Sequence, residues 1–264
     1  MTINVIGAGT WGIAVSSYLV NCGHNVLVFH RNTENSKSLV EILVHPKLDH
    51  FKISKKIKFN TNINSIDFNH LNILAIPSNS ISEFFSKIKS NEDNKFLILS
   101  KGFDINTGLL PSEILVKKFN MNLNNISVLS GPNHAEEIII NKPAATIISS
   151  VNDAYSRKLQ QLFSSNTLRV YTTSDIIGVQ LGGAIKNVIA IASGLCVGLK
   201  LGDNIQASLV SRGMNEILEL SKVYKIKKST LYGLSGLGDL IATCYSNYSR
   251  NRKLGILLCN SKVL

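Results

Sequence analysis

The sequence predicts an α/β fold, with a doubly wound, mostly parallel sheet at the N-terminal end and an all-helical domain at the C-terminal end. Strand-like apolar runs alternate with helical runs from residue 3 to residue 150, a pattern typical of a parallel sheet covered on both faces. Beyond residue 178 no strand-like run follows, and two long helical segments take over. We therefore expect two domains, residues 1–178 and residues 179–264.

The predicted elements follow from hydrophobic periodicity. Short runs rich in Val, Ile, Leu and Phe predict strands at residues 3–6, 25–29, 56–59, 71–76, 96–100, 126–130 and 145–150. Apolar residues that recur every three or four positions predict helices at residues 11–21, 35–44, 81–89, 111–119, 179–199 and 205–223. The closing residues 257–264 are typical of an interrupted helix, because no capping residue ends them. The helical domain is therefore expected to be truncated.

Composition narrows the classes of function. A chain of 264 residues with 44% hydrophobic residues can bury a sizeable core. Interrupted apolar runs, and a strand at residue 3 in place of a charged leader, indicate a cytoplasmic protein without membrane insertion. The formal net charge of +11 fits an anionic small-molecule partner or a plain compositional bias. Nucleic acid is disfavoured because no basic helix stands out, and the scattered cysteines predict no metal site.

The segment NVIGAGTWGIAV places Gly7, Gly9 and Gly12 between the first predicted strand and the first predicted helix. In that context the first glycine permits a tight turn, the second lets the backbone approach a pyrophosphate, and the third lets helix and strand pack closely. The N–H groups at the helix start then attract phosphates. A Rossmann-like dinucleotide site is therefore predicted, with a ligand-free glycine turn as the alternative.

The second predicted strand leads to Arg31, where a site selective for NAD usually has Asp or Glu on the ribose hydroxyls. An arginine there can stack on adenine and pair with a 2′-phosphate, which favours NADP or the use of both cofactors. A solvated surface arginine is the alternative interpretation.

Substrate residues are expected beyond the carboxyl ends of the strands, where ligands bind in open parallel sheets. Lys101 follows one predicted strand and is placed to reach an anionic substrate, while Gly131, Asn133 and Ala135 follow the next. Lys186 lies inside a helix that is otherwise apolar or small. Such a lysine either extends to solvent or is held in a pocket, where burial lowers its pKa and makes it a usable proton donor.

A last cluster follows the glycine-rich segment GLSGLGD. A carboxylate at Asp239 can orient a catalytic lysine, and the run Ser249-Arg250-Asn251 offers the donors that a phosphate monoester requires. The guanidinium fork of arginine matches two phosphate oxygens. Together these residues indicate a phosphorylated substrate.

Taken in order, the motifs GAGTWGIA, SKGFD, GPNHAEE, GGAIKNVIAIASGL, GLKLGDN and GLGDLIATC, followed by SRNRKLG, resemble those of the bacterial NAD(P)-dependent glycerol-3-phosphate dehydrogenases. The resemblance runs across essentially the whole chain. It implies reversible hydride transfer between NADPH or NADH and dihydroxyacetone phosphate, which gives sn-glycerol 3-phosphate for phospholipid synthesis. The oligomeric state stays open, with a homodimer as one option.

The resemblance also implies roles for single residues, with Lys186 as the general acid/base. Cofactor contacts are implied for Gly7, Gly9, Thr10, Trp11, Gly12, Arg31, Lys101, Ala135 and Arg250. Substrate contacts are implied for Lys101, Gly131, Asn133, Lys186, Asp239, Ser249, Arg250 and Asn251. Family members commonly have a hydroxyl residue at position 133, so Asn133 shifts a hydrogen-bond donor.

Family chains continue past the Ser-Arg-Asn motif with further helices, including a VVEG-like segment whose Val and Glu contact the cofactor. Residues 252–264 contain no such segment. Two alternatives therefore stay open. A non-catalytic nucleotide-binding remnant would bind NADP without turnover, and a related two-domain hydroxy-acid dehydrogenase would also place a lysine on the helix between domains. The Ser-Arg-Asn cluster speaks against the second alternative.

Overall fold

The computed structural model describes residues 1–31, 39, 41, 43–224 and 226–260. Ten strands are found in these residues: β1 Thr2–Ile6, β2 Asn25–Phe29, β3 Val44–His45, β4 Leu48–Lys52, β5 Lys58–Asn60, β6 Leu71–Leu74, β7 Phe96–Ile98, β8 Ile126–Ser130, β9 Ala144–Ser149 and β10 Leu168–Thr173. Strands β3 and β4 form a separate antiparallel hairpin. The other eight form one sheet in the order β10-β9-β8-β7-β6-β1-β2-β5.

The sheet is doubly wound, and its neighbouring strands are parallel except for the pair β8 and β9. Strand β1 lies between β2 and β6, so the chain builds outward to β5 on one side and then returns to build the other side. The order reverses beside β1, and ligands of open α/β sheets bind at such a point, outside the carboxyl ends of the strands. The glycine-rich loop follows β1 at this position.

Among the described residues, ten α-helices with defined bounds accompany the strands: α1 Thr10–Asn21, α2 Ile81–Ser86, α3 Pro111–Phe119, α4 Ala135–Ile138, α5 Asp153–Phe163, α6 Ile176–Gly198, α7 Asp203–Tyr224, α8 Lys228–Tyr232, α9 Asp239–Tyr245 and α10 Arg250–Asn260. Helices α1 and α5 pack in one apolar core against the sheet, and α2 and α3 pack in another. Helices α6, α7 and α9 share a third core. A π-helical turn, Leu234–Gly238, leads directly into α9.

Helices α6 and α10 cross at a pair of glycines. A Cβ atom on Gly194 would lie 2.1 Å from the carbonyl oxygen of Arg252, and one on Gly255 would lie 2.1 Å from that of Ile191. The two helix backbones are therefore in direct contact, which no residue with a side chain would permit. This contact fixes the start of α10, and with it the Ser-Arg-Asn motif, against the helix that contains Lys186.

The predicted α/β architecture is confirmed, and strands β2 and β8 and helix α3 have the predicted bounds. Several elements were missed, among them helix α5 and the short helices α4, α8 and α9. The predictions contain no hairpin at β3 and β4, and they contain no strand at β10, whose alternately buried and exposed residues lack an apolar run. The helix predicted at 35–44 falls mostly outside the described residues; of those described, Leu39 and Glu41 are helical and Val44 begins β3.

Helix α6 is long and apolar enough to cross a membrane by length and composition alone, with a mean hydropathy of 1.5 in its most apolar window. The sequence did not predict a membrane span here because glycines and Lys186 interrupt the apolar run. Core helices of globular proteins meet the same criterion, so this is weak evidence for a membrane span. Ile176 and Val179 of this helix pack in a core of the sheet, and the domain boundary at residue 178 stays a prediction.

Candidate active site

Two lysine side chains from different parts of the chain meet at one carboxylate. The Lys186 Nζ atom lies 2.5 Å from Asp239 Oδ1, and the Lys101 Nζ atom lies 2.6 Å from Asp239 Oδ2. Lys101 follows β7, Lys186 lies in α6, and Asp239 begins α9. The Asp239 side chain is 3% exposed. The carboxylate therefore uses one oxygen for each ammonium group and holds both at the carboxyl edge of the sheet.

Lys186 has an environment suited to proton transfer. Burial and then the nearby Lys101 ammonium lower its pKa, Asp239 opposes both effects, and the net pKa is about 7. Its Nζ atom also donates a hydrogen bond of 2.8 Å to the Thr243 hydroxyl, which in turn donates to the Asp239 carbonyl oxygen. A lysine with a pKa near 7 exchanges between its ammonium and amine forms at neutral pH, as a general acid/base requires.

Asn133 lies beside this cluster with one half of its amide fixed. Its Nδ2 atom donates to the Thr146 hydroxyl at 2.8 Å, and that hydroxyl donates to the Ser130 carbonyl oxygen at 2.8 Å. The Asn133 Oδ1 atom is buried, and it has no hydrogen-bond partner among the described residues. An acceptor in that position suits a ligand hydroxyl or amide. Gly131 is close by, and its carbonyl oxygen accepts from Lys101 at 3.4 Å.

The glycine-rich loop has the shape that a pyrophosphate site requires. Gly7 has a φ of +114°, and a Cβ on it would lie 2.6 Å from the Ala75 carbonyl oxygen. A Cβ on Gly12 would lie 2.1 Å from the Gly7 carbonyl oxygen, whereas one on Gly9 would meet no described atom within 4 Å. No side chain caps the first turn of α1. Gly7 and Gly12 leave no space for a side chain and Gly9 faces open space, an arrangement that fits a bound dinucleotide.

Residues predicted to bind the nucleotide lie next to residues predicted to bind the substrate. Trp11 of α1 and Asn133 line one small cavity beside Thr146. Ala135 begins α4 and is buried in the core that Trp11 also contacts. Thr10 is the first residue of α1. The glycine-rich loop therefore lies next to the substrate side of the sheet edge, as hydride transfer between two ligands requires.

The remaining predicted residues lie at the periphery of the cluster. Arg31 is exposed just beyond β2. Ser249 is buried, and its hydroxyl accepts the Arg252 N–H at 3.2 Å and so caps α10. Asn251 donates to Asn187 Oδ1 at 2.7 Å. Arg250 is exposed, and the structure shows no contact between its guanidinium and the lysines. The Ser-Arg-Asn motif lies near the lysine cluster because α10 packs against α6, but the donor groups of the motif are not gathered around the cluster.

Sequence reasoning missed Thr243, which touches both Lys186 and Asp239. The available signal was its spacing, because Thr243 follows Asp239 by one helical turn and so lies on the same face of α9. It also missed that one carboxylate serves Lys101 as well as Lys186.

A second cleft, of about 260 Å³, lies at the junction of α3, α6 and α7. Its lining is mainly apolar, with Ser112, Asp175 and Tyr224 among the residues on its walls. None of the predicted site residues lines it. The cluster of lysines at the sheet edge is therefore the stronger candidate for chemistry, because it combines convergent charges with a shifted pKa.

Comparison with known families agrees with this geometry. The family model for the N-terminus of NAD-dependent glycerol-3-phosphate dehydrogenase matches residues 2–156, and the model for its C-terminus matches residues 175–264. The chain belongs to this family. The glycine-rich loop lies within the range that the N-terminal model matches, and the helix that contains Lys186 lies within the range that the C-terminal model matches.

Individual family members are similar over almost the full chain. A glycerol-3-phosphate dehydrogenase (NAD(P)+) from Fusobacterium nucleatum is 38% identical over 266 residues, which cover 99% of this chain and 79% of that protein. One from Clostridium botulinum is 37% identical and covers 97% and 78%. The crystal structure of glycerol-3-phosphate dehydrogenase from Coxiella burnetii has a TM-score of 0.91 at 30% identity, covering 98% of this chain and 80% of that chain. The fold of the family is therefore present here.

Proposed function

We propose that this protein interconverts dihydroxyacetone phosphate and sn-glycerol 3-phosphate with NADPH or NADH. The observation that carries the proposal is the buried Asp239 carboxylate that binds both Lys101 and Lys186 at the edge where the glycine-rich loop opens. Family membership supports the same reaction, because relatives that are 37–38% identical bear the name of this activity.

The loop residues Gly7, Gly9 and Gly12 would hold the pyrophosphate, with Thr10 and Trp11 at the start of α1. The reduced nicotinamide, when bound, supplies the hydride. Ala135 and Lys101 would adjoin it, as the family resemblance implies for both residues. Arg31, at the end of β2, favours NADP through its charge. For Arg31→Ala we expect the KM for NADPH to rise about tenfold and the KM for NADH to change little, since only NADPH has the 2′-phosphate.

Lys186 would act as the general acid in ketone reduction and as the general base in the reverse direction. The carbonyl oxygen gains negative charge as its carbon is reduced, and the Lys186 ammonium would donate a proton to it. Lys101 would stabilise the same charge as a second, fixed cation. Asp239 would orient both lysines. A pKa of about 7 for Lys186 suits both directions of transfer.

The phosphate group would bind at the start of α10, with Gly131 and Asn133 holding the rest of the substrate. Arg250 is exposed there, and it forms no ion pair with any described residue. An unpaired guanidinium at the N-terminal end of an eleven-residue helix is suited to an anion. Ser249 and Asn251 would add hydroxyl and amide donors, and Arg250 would also reach the cofactor. Such contacts require α10 side chains to turn toward Lys186 on binding.

The product would serve phospholipid synthesis in the cytoplasm, and a homodimer is the assembly we propose. Both statements rest on family membership. Light scattering after gel filtration measures the mass directly, and a mass near that of one 28.9 kDa chain would contradict the dimer.

The direct test is the consumption of NADPH in the presence of dihydroxyacetone phosphate, measured as the loss of NADPH absorbance. Lys186→Met removes the proton donor with little change of volume, and we expect kcat to fall by a factor of about 100 to 10,000. A folded wild-type protein that binds NADPH without turnover would contradict the proposal and favour a nucleotide-binding remnant. Turnover of hydroxy acids in preference to the phosphate ester would favour a hydroxy-acid dehydrogenase.

A further inference from the structure

Two serine hydroxyls tie the residues on either side of Lys101 to the loop that follows β6. On the N-terminal side, the Ser100 hydroxyl donates to the Ile76 carbonyl oxygen at 2.6 Å. On the C-terminal side, the Ser78 hydroxyl donates to the Phe103 carbonyl oxygen at 3.0 Å. The backbone of Lys101 is therefore held between two hydrogen bonds to the same neighbouring loop.

The turn after Lys101 has a shape that depends on Gly102. Its φ of +108° is one that a residue with a side chain rarely adopts. A Cβ atom on Gly102 would lie 3.2 Å from the Ser78 Oγ atom, so the hydroxyl lies directly against the turn. The next residue, Phe103, packs on the apolar core of the helical domain. Ser78 therefore holds the turn from the sheet side, while Phe103 anchors it on the helical side.

The loop after β6 also packs against the glycine-rich loop. A Cβ atom on Gly7 would lie 2.6 Å from the Ala75 carbonyl oxygen and 3.0 Å from the Ile76 side chain. The Ala75 N–H donates to the Ile6 carbonyl oxygen at 2.8 Å, which fixes the two loops side by side. The bond from Ser78 therefore connects the segment of Lys101 to the loop predicted to hold the pyrophosphate.

The side chain of Lys101 extends from this segment to the lysine cluster. It passes over α6, where a Cβ atom on Gly183 would lie 3.3 Å from the Lys101 Cδ atom. The Lys101 Nζ atom then reaches Asp239 Oδ2 at 2.6 Å. The ammonium is thus held at its tip by the carboxylate, and the backbone from which it extends is held by the two serines.

We infer that Ser78 is a positioning residue for Lys101, which sets the place of the lysine relative to the nucleotide loop and to Lys186. The inference rests on the proposed function in that it takes Lys101 as the second cation at the reacting oxygen. A hydroxyl has one proton to donate, and Ser78 donates it to Phe103. Ser78 therefore acts through Lys101 and not as a donor to the ligands.

Three substitutions separate this role from general support of the fold. Ser78→Ala removes the hydroxyl, and Ser78→Thr retains it. Ser78→Cys keeps the size of the side chain with a weak donor, and it replaces the alanine variant if that protein is unstable. The matched control is Ser86→Ala on α2, which removes an exposed hydroxyl bond of 2.8 Å to the Glu83 carbonyl oxygen. Thermal unfolding without ligands measures structural damage in every variant.

The decisive comparison repeats the change without Lys101. We expect Ser78→Ala to lower kcat/KM for dihydroxyacetone phosphate about fivefold to tenfold, since one hydrogen bond is lost, and Ser78→Thr and Ser86→Ala to stay within about twofold of wild type. In a Lys101→Met background, Ser78→Ala should cost less than about twofold more, because no ammonium remains to be positioned. Wild-type activity in Ser78→Ala, or the same loss in both backgrounds, would overturn the inference.

A second measurement needs no turnover, because Lys186 senses the place of Lys101. Burial and then the Lys101 ammonium lower the pKa of Lys186, and Asp239 opposes them, with a net value of about 7. Among the described residues, the Cys244 thiol on α9 also interacts with Lys186, but burial raises the pKa of that thiol to about 11, so it stays neutral in this range. NMR of ¹³C-labelled lysine side chains follows the titration, and Lys186→Met assigns the signal.

In Ser78→Ala the pKa of Lys186 should rise above its wild-type value, because Lys101 is no longer held beside it, and Ser78→Thr should restore the wild-type value. An unchanged pKa in Ser78→Ala would overturn the inference. If wild type binds NADPH without reducing dihydroxyacetone phosphate, the proposed reaction is wrong, and the NMR titration still decides whether Ser78 positions Lys101. The two failures are therefore distinguishable.

Discussion

Replacing Asp239 with Asn is expected to move the pH dependence of the reaction. The Asp239 carboxylate lies 2.5 Å from Lys186 Nζ and raises the pKa of that lysine against the effects of burial and Lys101. Asn has nearly the same shape but no charge. Without the carboxylate, the pKa of Lys186 falls below its value of about 7, and Lys101 repels it without compensation.

The magnitude follows from the loss of one adjacent opposite charge, which typically changes a pKa by about 1–3 units. At pH 7 about half of Lys186 is ammonium in wild type, because its pKa is about 7. A fall of that size leaves between about one tenth and about one thousandth as ammonium. Ketone reduction at pH 7 should therefore slow by a factor between about 5 and about 500.

The assay is kcat for reduction of dihydroxyacetone phosphate, measured across pH at saturating NADPH. Since reduction requires the ammonium form, kcat falls as pH rises through the pKa of Lys186, and in Asp239→Asn this fall should lie at lower pH. Thr243→Val is the control, because it removes an uncharged hydrogen bond from the same Nζ atom and should move the profile less. A profile of Asp239→Asn that stays in place or moves to higher pH would refute the reasoning.

Three further predictions concern the loop, the helix crossing and the buried lysine. Gly12→Ala should destabilise the protein by about 3 kcal/mol, because the added methyl group overpacks against the Gly7 oxygen. Gly9→Ala should leave the free energy of unfolding unchanged but weaken NADPH binding. Equal melting temperatures for the two variants would contradict this prediction. Gly194→Ala should force α10 away from α6, which limited proteolysis detects as earlier cleavage in α10; a wild-type cleavage pattern would refute the close contact. Folding lowers the pKa of Lys186 from 10.5 to about 7, so between these pH values the unfolded chain binds more protons than the folded chain. The free energy of unfolding should therefore rise with pH in this range, and more steeply in wild type than in Lys186→Met. Parallel pH dependences of the two proteins in denaturant titrations would contradict the burial of Lys186.

Most of the sheet could be predicted from the sequence because its central strands are continuous apolar runs. Strand β10 escaped prediction because Leu168–Thr173 alternates between buried and exposed residues at the edge of the sheet. The hairpin escaped because β3 has only two residues and gives no periodic pattern. Its position depends on packing between distant segments, and periodicity does not encode such packing.

The candidate site was predictable in its members more than in its geometry. A lysine in an apolar helix indicated either an extension to solvent or a pocket, and the structure buries Lys186. The shared carboxylate joins Asp239 to a lysine 138 positions away, a distance over which the sequence gives no spacing rule. Ser249 was expected to bind substrate directly, yet its hydroxyl already caps α10. Capping and ligand binding draw on the same residue types, so the sequence alone does not separate them.

The most direct measurement of the central claim follows the hydride itself. The protein is incubated with dihydroxyacetone phosphate and NADPH carrying deuterium at C4 of the nicotinamide, on the face from which the hydride leaves, and the product is examined by mass spectrometry and NMR. We predict glycerol 3-phosphate with deuterium at C2, formed by wild type and nearly absent with Lys186→Met. Failure to form glycerol 3-phosphate with folded, NADPH-binding wild type, or product without deuterium from either face, would contradict the account.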